Sequence, residues 1–225
     1  MTAPIDAHPC TTAARHGVNS DLAHGAVMPP LYLSSNYSFD GLEGKRKYDY
    51  TRSGNPTRDV LGETLAKLEG GCGAVVTATG MAAVDLALFS LEPGDLLIAP
   101  HDLYGGTHRL LCARARRGHF DVQFVDQNDR AALDAAFALN PKLILIETPS
   151  NPLMRIVDVA DICARARAVG CKSAVDNTFL SPALQQPLAL GADLVIHSTT
   201  KYINGHSDVV GGCVVAKSAE DLQQL

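Results

Sequence analysis

Leu-Ile-Leu-Ile-Glu-Thr-Pro-Ser-Asn-Pro, residues 143–152, decides the fold of this chain. Its first four residues form a continuous apolar run with no polar alternation. A strand of that kind is buried on both faces, as in a parallel sheet covered by helices. The run then stops at a carboxylate and a stiff, proline-bounded loop. The same design recurs. Leu97-Ile98-Ala99 leads into Pro-His-Asp-Leu-Tyr-Gly-Gly (100–106), and Ala174-Val175 into Asp176-Asn177-Thr178. The stretch 192–196 leads into His-Ser-Thr-Thr-Lys (197–201).

Between these runs lie segments of helical character. Asn55-Pro56-Thr57 is a helix entry, Leu61, Leu65 and Leu68 mark one face, and Gly70-Gly71 stops the helix. Further helices are predicted over 81–91, 107–117, 129–139, 158–169 and 219–225. Strands are predicted over 74–78, 95–99, 120–125, 142–147, 172–175, 192–196 and 212–216. Strands alternating with helices of roughly 10–15 residues make βαβ units and a mostly parallel sheet. The fold class is therefore α/β, with residues 57–225 as one large domain. Residues 1–56 have no sustained period and read as a long irregular arm. In such sheets a ligand binds beyond the carboxyl ends of the strands.

Bulk properties exclude several functions. The chain has 225 residues, enough for one sizeable core, with 46% apolar and 19% charged residues. A net charge of −5 without a basic block gives no support to nucleic-acid or membrane-surface binding. No apolar run is long enough to span a bilayer, and the first ten residues lack the features of a secretory signal. The six cysteines, Cys10, Cys72, Cys112, Cys163, Cys171 and Cys213, form no C-x-x-C pair and no zinc spacing. They suit free thiols in a reducing cytoplasm. His8, His16 and His24 read as incidental arm residues, with no metal implied. The arginine-rich ends at 113–118 and 164–170 read as cations at helix C-termini followed by glycine caps.

The residues after the apolar runs carry the chemistry. Thr79-Gly80-Met81 opens a helix whose free N–H groups suit an anion, although many strand–helix turns contain a glycine. The dinucleotide fingerprint G-x-G-x-x-G is absent. Tyr104 next to two glycines can lie flat on a planar ring or simply pack at a strand end. Asn151 can present its amide to a ligand oxygen or only form an Asn-Pro turn. Asp176 can hold a protonated ring nitrogen or cap a turn. Lys201, flanked by Ser198 and Thr200, is either a nucleophilic amine depressed by burial or a surface lysine at a strand end. Each is ambiguous alone. Their succession along the strands supplies what pyridoxal 5'-phosphate needs: sites for a phosphate, a ring face, a ring hydroxyl, a ring nitrogen and an aldehyde.

Six stretches carry a family resemblance: Tyr-Asp-Tyr-Thr-Arg-Ser-Gly-Asn-Pro-Thr (48–57), Thr-Gly-Met-Ala-Ala (79–83), His-Asp-Leu-Tyr-Gly-Gly (101–106), Glu-Thr-Pro-Ser-Asn-Pro (147–152), Val-Asp-Asn-Thr-Phe (175–179) and Thr-Lys-Tyr-Ile-Asn-Gly-His-Ser-Asp (200–208). Through them the chain resembles the Cys/Met-metabolism family of pyridoxal-phosphate enzymes, from about Arg15 to its end. Phe-Leu-Ser-Pro-Ala-Leu-Gln (179–185) and the tyrosine loop are most similar to its bacterial γ-synthases.

The resemblance implies the large domain of a fold type I, aspartate-aminotransferase-like protein. It implies that Lys201 bonds the cofactor aldehyde and shuttles protons, that Asp176 pairs with the ring nitrogen, and that Tyr104 stacks on the ring. Gly80, Met81, Ser198 and Thr200 would hold the phosphate, Asn151 would lie near the ring hydroxyl, and Thr178 near the ring. Tyr50 and Arg52 would reach the phosphate of a neighbouring subunit in a tetramer built from dimers. The implied reaction is a γ-replacement on small amino-acid substrates in the cytoplasm, joining O-succinylhomoserine and cysteine, with Arg109 as a contact for the succinyl carboxylate. Ser53 stands where some γ-synthases carry arginine, and it is also seen in γ-lyases, so a γ- or β-lyase is the alternative. The family continues into a C-terminal domain that bears the substrate-carboxylate arginine. A chain ending at Leu225 lacks that arginine, so beside the enzyme reading stands an alternative of another class: a truncated cofactor-binding fragment without catalysis.

Overall fold

The computed structural model describes residues 8–225, so residues 1–7 of the expected arm lie outside it. Seven strands form one sheet: β1 (Gly73–Thr77), β2 (Leu96–Pro100), β3 (Asp121–Val125), β4 (Leu143–Glu147), β5 (Lys172–Asp176), β6 (Leu194–His197) and β7 (Gly212–Ala216). Their order is β1-β7-β6-β5-β4-β2-β3. β2 through β6 are parallel, and β7 runs antiparallel to both β6 and β1. The seven predicted strands are all present, within two residues at each end. Their order and the reversal of β7 are properties of pairing that no strand's own sequence carries.

The helices are α1 (Pro9–Arg15), α2 (Pro56–Glu69), α3 (Gly80–Ala87), α4 (Gly105–Arg116), α5 (Arg130–Phe137), α6 (Val159–Ala168), α7 (Ser181–Leu184) and α8 (Ala219–Gln224). Two apolar clusters hold the layers on the sheet. One joins Leu65, Ile98, Leu133, Ile144, Ile146, Ile162, Val175 and Val195. The other joins Val84, Leu97, Ala99, Leu111, Leu143, Leu145, Ala174 and Ile196. Neighbouring β4 residues fall in opposite clusters, and all five are buried. The unbroken apolar run is thus sandwiched on both faces. Gly118 and Gly170, each at φ +73°, follow α4 and α6 as the expected glycine caps.

The arm corrects the sequence reading in one place. Pro9–Arg15 is helical where no regular structure was expected. Proline at its start and the His8 side chain accepting from Cys10 N–H favour the turn. None of its residues is buried, so it left no apolar period to read. It packs on α2, where His16 meets Glu63 and Lys67. α7 was missed for a similar reason: four residues cannot display a helical period.

Asn55 ties the arm to the domain. Its Oδ1 accepts from Thr57 and Arg58 N–H, capping α2. Its amide NH2 donates to Tyr32 O at 3.0 Å, Tyr37 Oη at 3.2 Å and Thr51 Oγ1 at 3.2 Å. Asn55→Asp keeps the cap and removes the donors. Limited proteolysis of this variant should cut faster between residues 20 and 50, with the helical circular dichroism retained. Unchanged cleavage would show that these bonds do not hold the arm.

Candidate active site

After β2 the chain turns outward to β3, whereas after β4 it proceeds to β5, β6 and β7 on the other side. The carboxyl ends of β2 and β4 therefore flank the switch point of the sheet, where a crevice forms. Glu147 ends β4 there and is only 6% exposed. Both of its carboxylate oxygens accept from Tyr104 N–H, at 3.0 and 2.9 Å, and Oε1 also accepts from Asn151 N–H at 2.8 Å. One buried carboxylate thus fixes the loop after β2 and the loop after β4. Ser150 Oγ donates to Asp102 Oδ2 at 2.6 Å and adds a second tie. Burial pushes the Glu147 carboxyl up to about 7, against the two N–H bonds and with help from the negative charges of Asp176 and Asp102.

Asp176 ends β5 in register with Glu147. Some of its surface stays exposed, yet protein packs round the carboxylate, and this desolvation pushes its pKa up. The Thr178 side chain and N–H, and the nearby His197 imidazole, pull the other way. Thr178 is a bridge: its N–H donates to Asp176 Oδ1 at 3.0 Å and its Oγ1 accepts from Ser198 N–H at 2.8 Å.

Ser198 leads to the anion corner. α3 packs across β7 and β6, which brings its first turn to the end of β6. A Cβ on Gly80 would lie 2.5 Å from Ser198 Cβ, so only glycine permits this approach. Thr79 caps α3 by accepting from Ala82 N–H at 3.0 Å. Gly106 makes a second close approach: a Cβ there would meet the Tyr104 ring at 2.5 Å and Met81 Sδ at 3.1 Å. Gly80, Met81, Tyr104, Asp176, Thr178 and Ser198 are therefore linked along one rim by contacts between strands far apart in sequence.

Other predicted residues stand apart. Thr200 Oγ1 donates to Gly211 O and accepts from Gly211 N–H, both at 3.1 Å, and so closes its own loop. Lys201 lies in the turn after Ser198, with its N–H on Ser198 O at 3.2 Å. It is exposed, so burial is not what distinguishes this amine. Past the buried Thr199 the chain turns outward at Lys201 and Tyr202, which the apolarity of β6 does not reveal. Arg109 is exposed on α4, with its Nη1 folded back to Gly105 beside the tyrosine loop. Tyr50 pairs with Asn36 in an isolated bridge, under the Arg52 guanidinium at 4.9 Å. Arg52 lines a groove with Arg58, Gly62 and Val75, near the start of β1 rather than at the anion corner.

Sequence reasoning missed two groups. Glu147 was visible as a carboxylate closing a fully apolar strand, a costly position that calls for partners. The other is a buried set behind the rim. Glu69 Oε1 meets His197 Nε2 at 2.6 Å and accepts from Asn177 Nδ2 at 2.9 Å. Its signal was weak, because Glu69 closes an amphipathic helix 128 residues before His197.

The rim fits pyridoxal phosphate. Gly80 leaves a cradle that a Cβ would fill, at the N-terminus of a helix and beside a hydroxyl, as a phosphate requires. Asp176 is a desolvated carboxylate on which no lysine or arginine acts, as a protonated ring nitrogen requires.

Comparison with known proteins agrees. Residues 10–225 match the family described as Cys/Met metabolism PLP-dependent enzyme. Cystathionine gamma-synthase of Escherichia coli (strain K12) is 60% identical over 96% of this chain and 56% of its own length. Cystathionine beta-lyase of Lactococcus lactis subsp. cremoris (strain MG1363) is 44% identical over 93% of this chain and 55% of its own. The crystal structure of cystathionine gamma synthase from Xanthomonas oryzae pv. oryzae in complex with cystathionine superposes with a TM-score of 0.96. It has 61% identity and covers 97% of this chain and 57% of that one. The chain therefore spans a little over half the length of these relatives. No helix among the described residues is long and apolar enough to cross a membrane.

A carboxyl raised from 4.5 to about 7 by folding stabilises the native state fully below the lower value and loses that contribution as pH rises through the upper one. Between pH 4.5 and 7 the Glu147 contribution should fall by about 3 kcal/mol. Urea unfolding of Glu147→Gln should lack that component of the slope, whereas parallel pH profiles for the two proteins would contradict it.

Proposed function

The chain belongs to the Cys/Met metabolism PLP-dependent enzymes, and from that premise we propose that it is the cofactor-binding part of an enzyme of γ-replacement. The reaction exchanges the succinyloxy group of O-succinylhomoserine for the sulfur of cysteine and yields cystathionine and succinate. The observation that carries this reading is the chain of contacts Gly80–Ser198–Thr178–Asp176, which sets an anion corner and a desolvated carboxylate on one rim. The 60% identity to a protein named cystathionine gamma-synthase supports the choice of reaction.

Bound pyridoxal phosphate supplies an electron sink for the carbanionic stages of such an exchange. The N–H groups of Gly80 and Met81 and the Ser198 hydroxyl receive its phosphate. Thr200 can join them only by giving up Gly211. Asp176 would keep a proton on the ring nitrogen, Tyr104 would cover the ring face and Asn151 would meet the ring hydroxyl, while Thr178 steadies Asp176. Lys201 would hold the cofactor through its aldehyde carbon, and its side chain, exposed and with room to move, would carry the substrate's α- and β-protons. Arg109, beside the tyrosine loop, takes the succinyl carboxylate.

Residues 1–56 form the arm of an assembly, a cytoplasmic tetramer of paired dimers. In it Tyr50 and Arg52 serve a neighbouring subunit's phosphate. The place of Arg52 in a groove along α2 and β1 supports this reading, as do the exposed apolar arm residues Leu22, Met28, Leu31, Leu33 and Leu42.

The protein incubated with O-succinylhomoserine and cysteine should form cystathionine. The 44% identity to a cystathionine beta-lyase makes ketoacid release from cystathionine the outcome that would replace this reading. Lys201→Ala should abolish the visible absorbance band of the bound cofactor. Asp176→Asn should lower turnover roughly tenfold to a hundredfold, the scale of a lost charged hydrogen bond. A retained band without turnover would mark the chain as a cofactor-binding piece alone.

A further inference from the structure

Glu147 has no place in the chemistry above, yet it is the acceptor that both ring-facing loops share. Its three hydrogen bonds come from backbone N–H groups, two contacts from Tyr104 and one from Asn151. All three need lone pairs. An ionised carboxylate has them on both oxygens, whereas a protonated one turns an oxygen into an O–H that faces the Tyr104 N–H. The hydrogen-bond partners of Glu147 are neutral N–H groups. The charges that raise it are Asp176 from β5 and Asp102 from the loop after β2, and both are negative. Asp176 is its register partner on the adjacent strand. The two carboxylates therefore compete for ionisation across one strand spacing.

We propose that Glu147 is a positioning residue that couples charge at Asp176 to the placement of Tyr104 and Asn151. A cation held against Asp176 cancels the charge that opposes ionisation of Glu147. The ionised Glu147 then grips both loops through all three bonds. With Asp176 unpaired, Glu147 takes up a proton near neutral pH, and the grip on Tyr104 weakens. Filling the ring-nitrogen position thus tightens the residues that cover the ring face and meet the ring hydroxyl. This inference rests on the reading of Asp176 and Tyr104 given above, and it extends that reading to a residue that touches neither cofactor nor substrate.

The test follows the backbone amide resonances of Tyr104 and Asn151 in the isotopically labelled chain as pH is varied, with and without pyridoxal phosphate. Both amides should share one midpoint near 7 in the free chain. That titration should vanish in Glu147→Gln. In Asp176→Asn the midpoint should already lie lower without ligand, by about one pH unit, because a neighbouring like charge has gone. Pyridoxal phosphate should lower the midpoint in the unmodified chain and leave it unmoved in Asp176→Asn. Amides that titrate separately, or a midpoint indifferent to Asp176→Asn, would overturn the proposal. If Glu147→Gln does not fold, the comparison with Asp176→Asn decides alone. Failure of the functional reading looks different: no visible band forms with pyridoxal phosphate, while Asp176→Asn still shifts the midpoint.

Discussion

A strand buried on both faces can place a polar side chain only at its ends, and this constraint shapes the whole molecule. β4 is the extreme case, with four aliphatic residues sealed between two helix layers and Glu147 at its carboxyl end. β5 and β6 repeat the arrangement with Asp176 and with His197 and Ser198. Because the three strands are parallel, their polar ends emerge on the same edge of the sheet. Hydrogen-bonded groups there meet one another without crossing the core, and the switch point beside β2 opens a crevice for a ligand.

The rim is held by carboxylates more than by cations. Glu147 grips two loops, Asp102 takes the Ser150 hydroxyl, and Asp176 is steadied by Thr178. Behind them Glu69 meets His197 in a fully buried pair. Desolvation opposes ionisation and pushes both Glu147 and Asp176 upward, and for Glu147 the negative charges of Asp176 and Asp102 add to it. The electrostatic cost is offset if a positive group arrives. The donors on Asp176 come from Thr178 alone, so a protonated ring nitrogen there is the natural counter-charge. Three arginines elsewhere are already engaged: Arg114 with Asp85, Arg155 with Asp126, and Arg165 with Asp134.

Much of this was legible in one dimension. Seven strands could be marked because continuous apolar runs bounded by Gly, Pro and Asn have few other readings. α2 could be placed from Asn55-Pro56 and its glycine stop. Tyr104, Asp176 and Lys201 drew attention because they follow such runs. α1 was not legible, because nothing in it is buried and its stability comes from proline, a cap and contact with α2. The exposure of Lys201 was not legible either, since an apolar strand says nothing about where the next turn leads. Glu147 was in plain view within the quoted stretch, but its partners Tyr104 and Asp176 lie on other strands.

The sequence by itself determined the element types, the burial of the central strands and the residue classes at their ends. Those follow from local periodicity and from the cost of burying polar groups, which act over a few residues. Only the tertiary structure decided that β7 runs against its neighbours, that Gly80 touches Ser198, and that Glu147 stands between Tyr104 and Asp176. Those are pairings between segments tens of residues apart, set by sheet order and close packing. No residue's own chemistry specifies which distant partner it will meet.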